Sequence, residues 1–236
     1  MMVSPEALER WVYQHTGMRL AEGRLSRLAR PPHLPMPGTA AFDALLDTII
    51  VGETWFFREP HSLEVWRDRA QPQRPLRVLS AGCSTGEEAY SIAMLLCEWG
   101  ISAEIIGIDL SLGALAQGRA GRYTPYRLRA TAPPRQARFF RPVVEDWEVL
   151  PEIRRRVSLI PGNLVGDMPD CGLFDLILCR NVLLYFDDDS RRRAGAGLAR
   201  RLRPDGFLIH GLTEGLLDMP PFRPVWHQGM RLLAAP

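Results

Sequence analysis

The chain has 236 residues, 46% of them hydrophobic and 24% charged, with a formal net charge of +2. That balance suits one α/β domain of ordinary size with a small appendage, and it leaves no overall field to recruit nucleic acid. No apolar run reaches the ~18 residues needed to cross a bilayer and the N-terminus lacks a signal-peptide core, so a cytoplasmic protein without direct membrane insertion is expected. Cys83, Cys97, Cys171 and Cys179 lack metal spacing and read as buried thiols, not disulfides or zinc ligands. All 29 basic residues are arginines, a composition bias that would also suit a carboxylate-rich partner.

In chain order, residues 4 to 29 show helical spacing at Leu8, Trp11, Val12, Leu20, Leu25 and Leu28, with a break at Gly17. "PPHLPMPG" (31 to 38) cannot be helix or central strand and reads as a linker, and a further helix is expected over about 40 to 50. From Leu76 the texture alternates. "LRVLSA" is strand, 87 to 99 helix, "AEIIGIDL" (103 to 110) strand, "LGALAQGRAG" helix, "FDLILCRN" (174 to 181) strand and 188 to 203 an arginine-rich helix; "RPDG" then turns into "FLIHGL" (207 to 212). Such alternation predicts a doubly wound, mostly parallel Rossmann-like sheet with helices on both faces. Residues 138 to 162 break the rhythm with β-branched and aromatic clusters and turn residues at Pro142, Asp146 and Pro151. They read as a small antiparallel β insertion. The expected organisation is therefore an N-terminal helical region with its linker over 1–50 and one larger domain over 51–236.

"AGCSTGEE" joins the first strand to its helix at the carboxyl edge of the sheet, where open α/β sheets bind ligands. Its glycine spacing is wrong for the G-x-G-x-x-G of a nicotinamide site, and Glu87 and Glu88 would repel a pyrophosphate. Carboxylates here favour a cation, and the amino group and sulfonium of S-adenosylmethionine form such a ligand. Asp109, at the end of the second strand, is placed to accept both ribose hydroxyls. Glu87 and Glu88 would also suit the helix dipole with no ligand at all.

Three blocks, "ETWFFREP" (53 to 60), "LSAGCSTGEEAYSIAMLL" (79 to 96) and "FDLILCRNVLLYF" (174 to 186), with a weaker fourth in "LRPDGFLIHGLTEGL" (202 to 216), resemble the CheR family of chemoreceptor glutamate O-methyltransferases. The resemblance runs in order from about residue 40 onward. "VGETWFF" is similar to the branch that serves chemosensory-like systems for biofilm formation, surface behaviour and social motility. Members of that branch often continue into tetratricopeptide repeats; the 236 residues contain none. The resemblance implies cofactor contacts from Thr54, Arg58, Gly82, Glu88, Asp109, Asn163, Leu164, Arg180 and Asn181, and an active-site tyrosine at Tyr185. Two positions depart from the family pattern. Gly52 stands where an asparagine is common, and Gly211-Leu212-Thr213-Glu214 lacks the histidine of that block, with His210 out of register to replace it.

What the resemblance implies is methyl transfer to a glutamate γ-carboxylate on the cytoplasmic helical domain of a methyl-accepting receptor, by a monomer. A carboxylate with a pKa near 4.3 is already ionised at neutral pH, so no general base is needed. Arg58 would orient the incoming or cofactor carboxylate, and Tyr185 would donate one hydrogen bond and shape the methyl channel. A methyltransferase for another substrate and a non-catalytic S-adenosylmethionine-binding module are the alternatives. Arg10, Arg19, Arg24, Arg27 and Arg30 offer a charged route to an acidic helix bundle, or a solvated face.

Overall fold

The computed structural model describes residues 2–20, 28, 30–50, 52–64, 67, 74–214 and 219–235. The first helix, α1 (Pro5–Thr16), is capped at its start by Ser4, whose Oγ accepts from the Ala7 amide at 3.2 Å, and ends at Gly17 with φ +69°. The break expected at Gly17 is there; the second helix expected after it falls mainly on residues 21–27, outside the described residues. α2 (Ala40–Ile49) starts at Thr39, whose hydroxyl caps the Phe42 amide, and the short α3 (Pro60–Glu64) follows the "ETWFFR" segment.

The main sheet takes β1 (Leu76–Ala81), β2 (Ala103–Asp109), β6 (Val157–Pro161), β7 (Phe174–Cys179), β8 (Leu202–His210), β9 (Arg223–His227) and β10 (Met230–Ala234). Their spatial order is β6-β2-β1-β7-β8-β10-β9. The first five are parallel, and β10 and β9 add an antiparallel edge. The crossovers use α4 (Glu87–Glu98), α5 (Leu112–Ala120) and α8 (Asp188–Ala199). β1 is buried at five of six positions and β7 likewise, as strands covered on both faces must be. Two apolar clusters flank the sheet. One joins α4 residues such as Met94 and Leu95 to Val78, Ile105 and Leu178. The other joins Leu79, Ile108 and Ile177 to Leu8, Trp11, Phe42 and Leu46, so α1 and α2 share the sheet's own core.

The insertion is smaller and differently built than its sequence suggests. β4 (Phe140–Val143) and β5 (Asp146–Val149) pair as the expected hairpin, but β3 (Arg122–Tyr123) joins them, giving the order β3-β5-β4. α6 (Pro133–Phe139) precedes the hairpin and α7 (Pro151–Arg154) follows it. Residues 157–161, read as ribbon, form the parallel edge strand β6 instead. β-branched texture marks a strand but does not say which sheet takes it. The expected turn at "RPDG" is absorbed into β8, with a shift of register opposite Phe174–Leu176. Cys83 and Cys179 are buried as expected, whereas Cys97 and Cys171 are only half-buried, and all four are free.

Candidate functional site

Strand order reverses at β1, whose neighbours are β2 on one side and β7 on the other. The carboxyl ends of these three strands therefore leave a crevice, the place where doubly wound sheets bind ligands. Thr54, Arg58, Gly82, Glu88, Asp109, Asn163, Leu164, Arg180, Asn181 and Tyr185 all line this one cleft. Thr16, Met18, Trp55 and Ser84 join them. The first two come from the end of α1, with no chemical signature in sequence to mark them.

The glycine loop is held in an uncommon shape. Gly82 has φ +81°, and a Cβ there would lie 2.4 Å from Val182 Cγ2, so the loop after β7 presses on it too closely for any side chain. Ser84 follows at φ +49° and Asn181 at φ +59°, both left-handed and both in the cleft wall. Asp109 stabilises the first of these: its Oδ2 accepts from the Ser84 amide at 2.7 Å, and its Oδ1 from the Ser111 amide at 2.9 Å. Each oxygen keeps further acceptor capacity toward the cleft. Burial pushes the Asp109 carboxyl up, against these backbone hydrogen bonds.

The two adjacent glutamates part company. Glu87 is fully buried and does not line the cleft; its Oε2 accepts from Thr85 Oγ1 at 2.6 Å, and its Oε1 lies 3.5 Å from Arg127 Nε. Only Glu88 faces the ligand space, so of the two carboxylates read as facing a cation Glu87 is excluded. Successive residues at a helix start point about 100° apart, and sequence spacing alone does not choose between them.

Around Glu88 stands a charge cluster. Ser80 Oγ donates to Glu88 Oε1 at 2.6 Å, and Arg180 reaches Glu88 Oε2 and Glu59 Oε2, each at 3.5 Å. Arg180 Nη2 also donates to the Arg58 carbonyl at 2.5 Å, which ties the end of β7 to the "ETWFFR" segment. Glu214, buried, receives the Leu183 amide and the Gly211 amide at 2.7 Å each, pinning the two loops together. Burial raises the Glu88 carboxyl, and Glu214 and Glu59 push the same way, while Arg180 and Ser80 oppose them. Glu88 and Glu59 thus share one buried guanidinium, and Glu214 adds negative charge near Glu88, an excess that a cationic ligand would relieve. Ser84 Oγ and Arg180 Nε are buried without a hydrogen-bond partner, which fits a site that takes a polar ligand.

The remaining positions are assigned by their contacts. Asn163 spends its side chain on structure: Nδ2 donates to the His15 carbonyl at 2.7 Å and Oδ1 accepts from the Val165 amide at 3.1 Å. It fastens α1 to the loop after β6, which leaves Leu164, Ile108 and Leu110 as the apolar wall suited to an adenine ring. Arg58 stacks over Trp55 at 4.4 Å and donates to the Glu53 carbonyl at 3.0 Å. Trp55 carries Arg129 at 4.0 Å as well. Tyr185 sits in the short 3₁₀ turn Leu183–Tyr185, and its carbonyl accepts from the Arg19 amide at 2.9 Å. Among the described residues no histidine lines the cleft and no cluster of side chains could hold a metal ion.

The sheet order and the cleft at the carboxyl ends of β1, β2 and β7 define a Rossmann-like methyltransferase fold. The family model described as CheR methyltransferase, SAM binding domain, matches residues 52–226, and the chain belongs to that family. It is 36% identical over 186 residues to the probable biofilm formation methyltransferase WspC of Pseudomonas putida, an alignment covering 74% of this chain and 44% of the relative. With the protein of the same name from Pseudomonas aeruginosa it shares 35% over 199 residues, 77% of this chain and 46% of the relative. Chemotaxis protein methyltransferase 2 of Pseudomonas aeruginosa is 34% identical over 235 residues, 87% of this chain and 84% of the relative. The chain thus matches less than half the length of the two biofilm-related relatives.

Proposed function

We propose that this chain methylates glutamate γ-carboxylates on a methyl-accepting chemoreceptor, giving glutamyl methyl esters in a chemosensory pathway of the surface-sensing kind. Its substrate would be the receptor's cytoplasmic helical domain, so the reaction belongs in the cytoplasm. The observation that carries this reading is the convergence on one cleft of Arg58 and Tyr185 with the carboxylate cluster around Glu88, and with no histidine among the described lining residues. A glutamate substrate is ionised at neutral pH and asks for no base.

When bound, S-adenosylmethionine supplies a methyl group activated by the adjacent sulfonium. Glu88 and Asp109 would hold its ammonium and ribose ends, and Thr54, Asn181 and Leu164 its flanks. Arg58 is held from three sides, by Trp55, by the Glu53 carbonyl and through its own carbonyl by Arg180. A guanidinium so restrained can present a fork to a carboxylate at low cost in side-chain entropy. Orientation of this kind contributes up to about 7–11 kcal/mol in well-aligned systems. Tyr185 would contribute one hydrogen bond to the substrate carboxylate and fill the channel wall.

The test is to incubate the chain with methyl-labelled cofactor and receptors from its own genome. Base-labile label on the receptor supports the ester; base-stable label would indicate a different side chain, and tight binding without turnover a regulatory module. In the same assay Arg58→Ala is expected to lower the rate at least tenfold with little change in melting temperature.

A further inference from the structure

One arginine outside the cleft, which the sequence does not mark, is bonded to the segment that carries Thr54 and Arg58. Arg127 lies in the 3₁₀ turn Pro125–Leu128, just after β3, and is not among the lining residues. Its Nη1 donates to the Gly52 carbonyl at 3.1 Å and to the Thr54 carbonyl at 2.5 Å, and its own carbonyl accepts from the Phe56 amide at 3.0 Å. On its other side Nε faces Glu87 Oε1 at 3.5 Å, an oxygen that is buried and has no hydrogen-bond partner. The side chains are 21% and 0% exposed, so this is a nearly dry pair.

The geometry has a direction. Glu53, Thr54, Trp55 and Arg58 line the cleft from one segment and Gly82, Cys83 and Ser84 line it from the glycine loop; Glu87 is the first residue of α4 and is bonded to Thr85 of that loop. Two further bonds run in parallel. Ser91 of α4 accepts from the Phe57 amide at 2.9 Å, and Tyr123 donates to the Thr85 carbonyl at 2.6 Å. The segment 52–57 has no regular secondary structure of its own to hold it. An irregular segment keeps its shape only if its backbone groups are satisfied from outside, and here Nη1 of one guanidinium satisfies two carbonyls while its Nε faces Glu87.

We infer that Arg127 is a positioning residue for the cofactor site: it clamps segment 52–56 to the glycine-loop helix through Glu87, and so fixes the separation at which Thr54 and Arg58 face Ser84 and Glu88. Arg127 need not touch the cofactor. Its removal frees two wall carbonyls and leaves Glu87 buried without its counter-charge, which favours a wider cleft.

The experiment measures binding of S-adenosylhomocysteine by calorimetry, and melting temperature, on the full chain with Arg127→Gln, Arg127→Lys and Arg77→Gln. Arg77, whose Nε pairs with Glu104 at 2.9 Å near the amino ends of β1 and β2, serves as the loss of a more exposed ion pair away from the cleft. Arg127→Gln is expected to weaken the product at least tenfold, and Arg77→Gln less than twofold. Arg127→Lys keeps the charge opposite Glu87 but not the fork, and is expected to restore affinity partway while keeping the fold. Should Arg127→Gln not fold, Arg127→Lys alone decides: affinity reduced about threefold or more at a wild-type melting temperature supports the clamp. Wild-type affinity in either Arg127 variant, or equal weakening by Arg77→Gln, overturns it. The inference rests on the cofactor and not on the glutamate substrate, so a chain that methylates no receptor leaves this binding test intact.

Discussion

At the residue scale, Glu88 and Asp109 are carboxylates that the protein has buried at a cost and has only partly compensated. Burial holds both above the ordinary carboxylate range, so each becomes protonated at a higher pH than a free side chain would. If Glu88 pairs with the cofactor's ammonium, affinity is full while Glu88 is ionised and is lost as pH falls through its raised value. Binding of S-adenosylhomocysteine should therefore weaken as pH falls, beginning above the range where an ordinary glutamate titrates. Glu88→Gln should start weaker by about tenfold, the equivalent of one charge-assisted hydrogen bond, and should lose the pH dependence. A wild-type titration that stays flat as pH falls would remove Glu88 from the ammonium site. Asp109→Ala should weaken S-adenosylmethionine and its product alike, again by about tenfold or more. The same substitution strips the Ser84 amide of its acceptor, and Ser84 at φ +49° depends on that bond. Calorimetry with unchanged affinity for both ligands would show that the ribose lies elsewhere.

At the scale of elements, α8 illustrates the opposite sign. Asp187 caps it, with Oδ1 accepting from the Ser190 amide at 2.9 Å and from Tyr13 at 3.4 Å, and Oδ2 paired with Arg19 at 3.2 Å. The Ser190 amide foremost, then Tyr13 and Arg19, lower its carboxyl from 3.8 to about 2. A depressed folded value contributes stability that is fully present above the ordinary carboxylate range and is lost as pH falls from about 4 toward about 2. Asp187→Ala should cost about 1 kcal/mol at neutral pH, as removal of an N-cap does. Thermal melts should show that cost shrinking as the pH is lowered through this window; a constant deficit would mean that Asp187 acts by packing alone. The run Asp187 to Asp189 was legible as an acidic helix start, because capping and dipole effects are local in sequence. What could not be read was its second task. Tyr13 and Arg19 reach it from the N-terminal region, a contact between residues 174 and 168 positions apart. Strands β1, β2 and β7 were equally legible from their continuous apolar runs. β6 was misassigned to the ribbon because its neighbour is decided by the crossover, not by its own residues. Gly82, Asp109, Asn163, Leu164, Arg180 and Asn181 meet in one cleft because they sit at or just after strand ends, and Thr54 and Arg58 reach it from the irregular segment before α3. Arg127 and Asn163 show the limit, since a side chain that binds backbone carbonyls leaves no pattern in sequence.

At the scale of the whole molecule, the proposed function requires that a receptor reach the cleft. The small sheet offers one route: β4 is its open edge, and an extended peptide could add there as a further strand. That edge is four residues long and contains Pro142, which has no amide to donate. The other route is charge on the N-terminal region. Arg10, Arg19 and Arg30 are exposed, and the Arg19 amide is bonded to Tyr185 of the cleft wall; Arg24 and Arg27 lie outside the described residues. An acidic helix bundle approaching these arginines would need no tether, and its association would be screened by salt because exposed charge pairs weaken beyond a Debye length of about 8 Å at physiological ionic strength. Methylation of a receptor fragment should therefore survive removal of the receptor's extreme C-terminus and fall steeply as salt rises from about 50 mM to about 500 mM, over which the screening length shrinks severalfold. Arg19→Glu should lower the rate at low salt, through KM, and lose most of its effect at high salt. If removing the receptor C-terminus abolishes methylation while salt has little influence, the open edge of β4 is the docking site and the arginine face is only solvated.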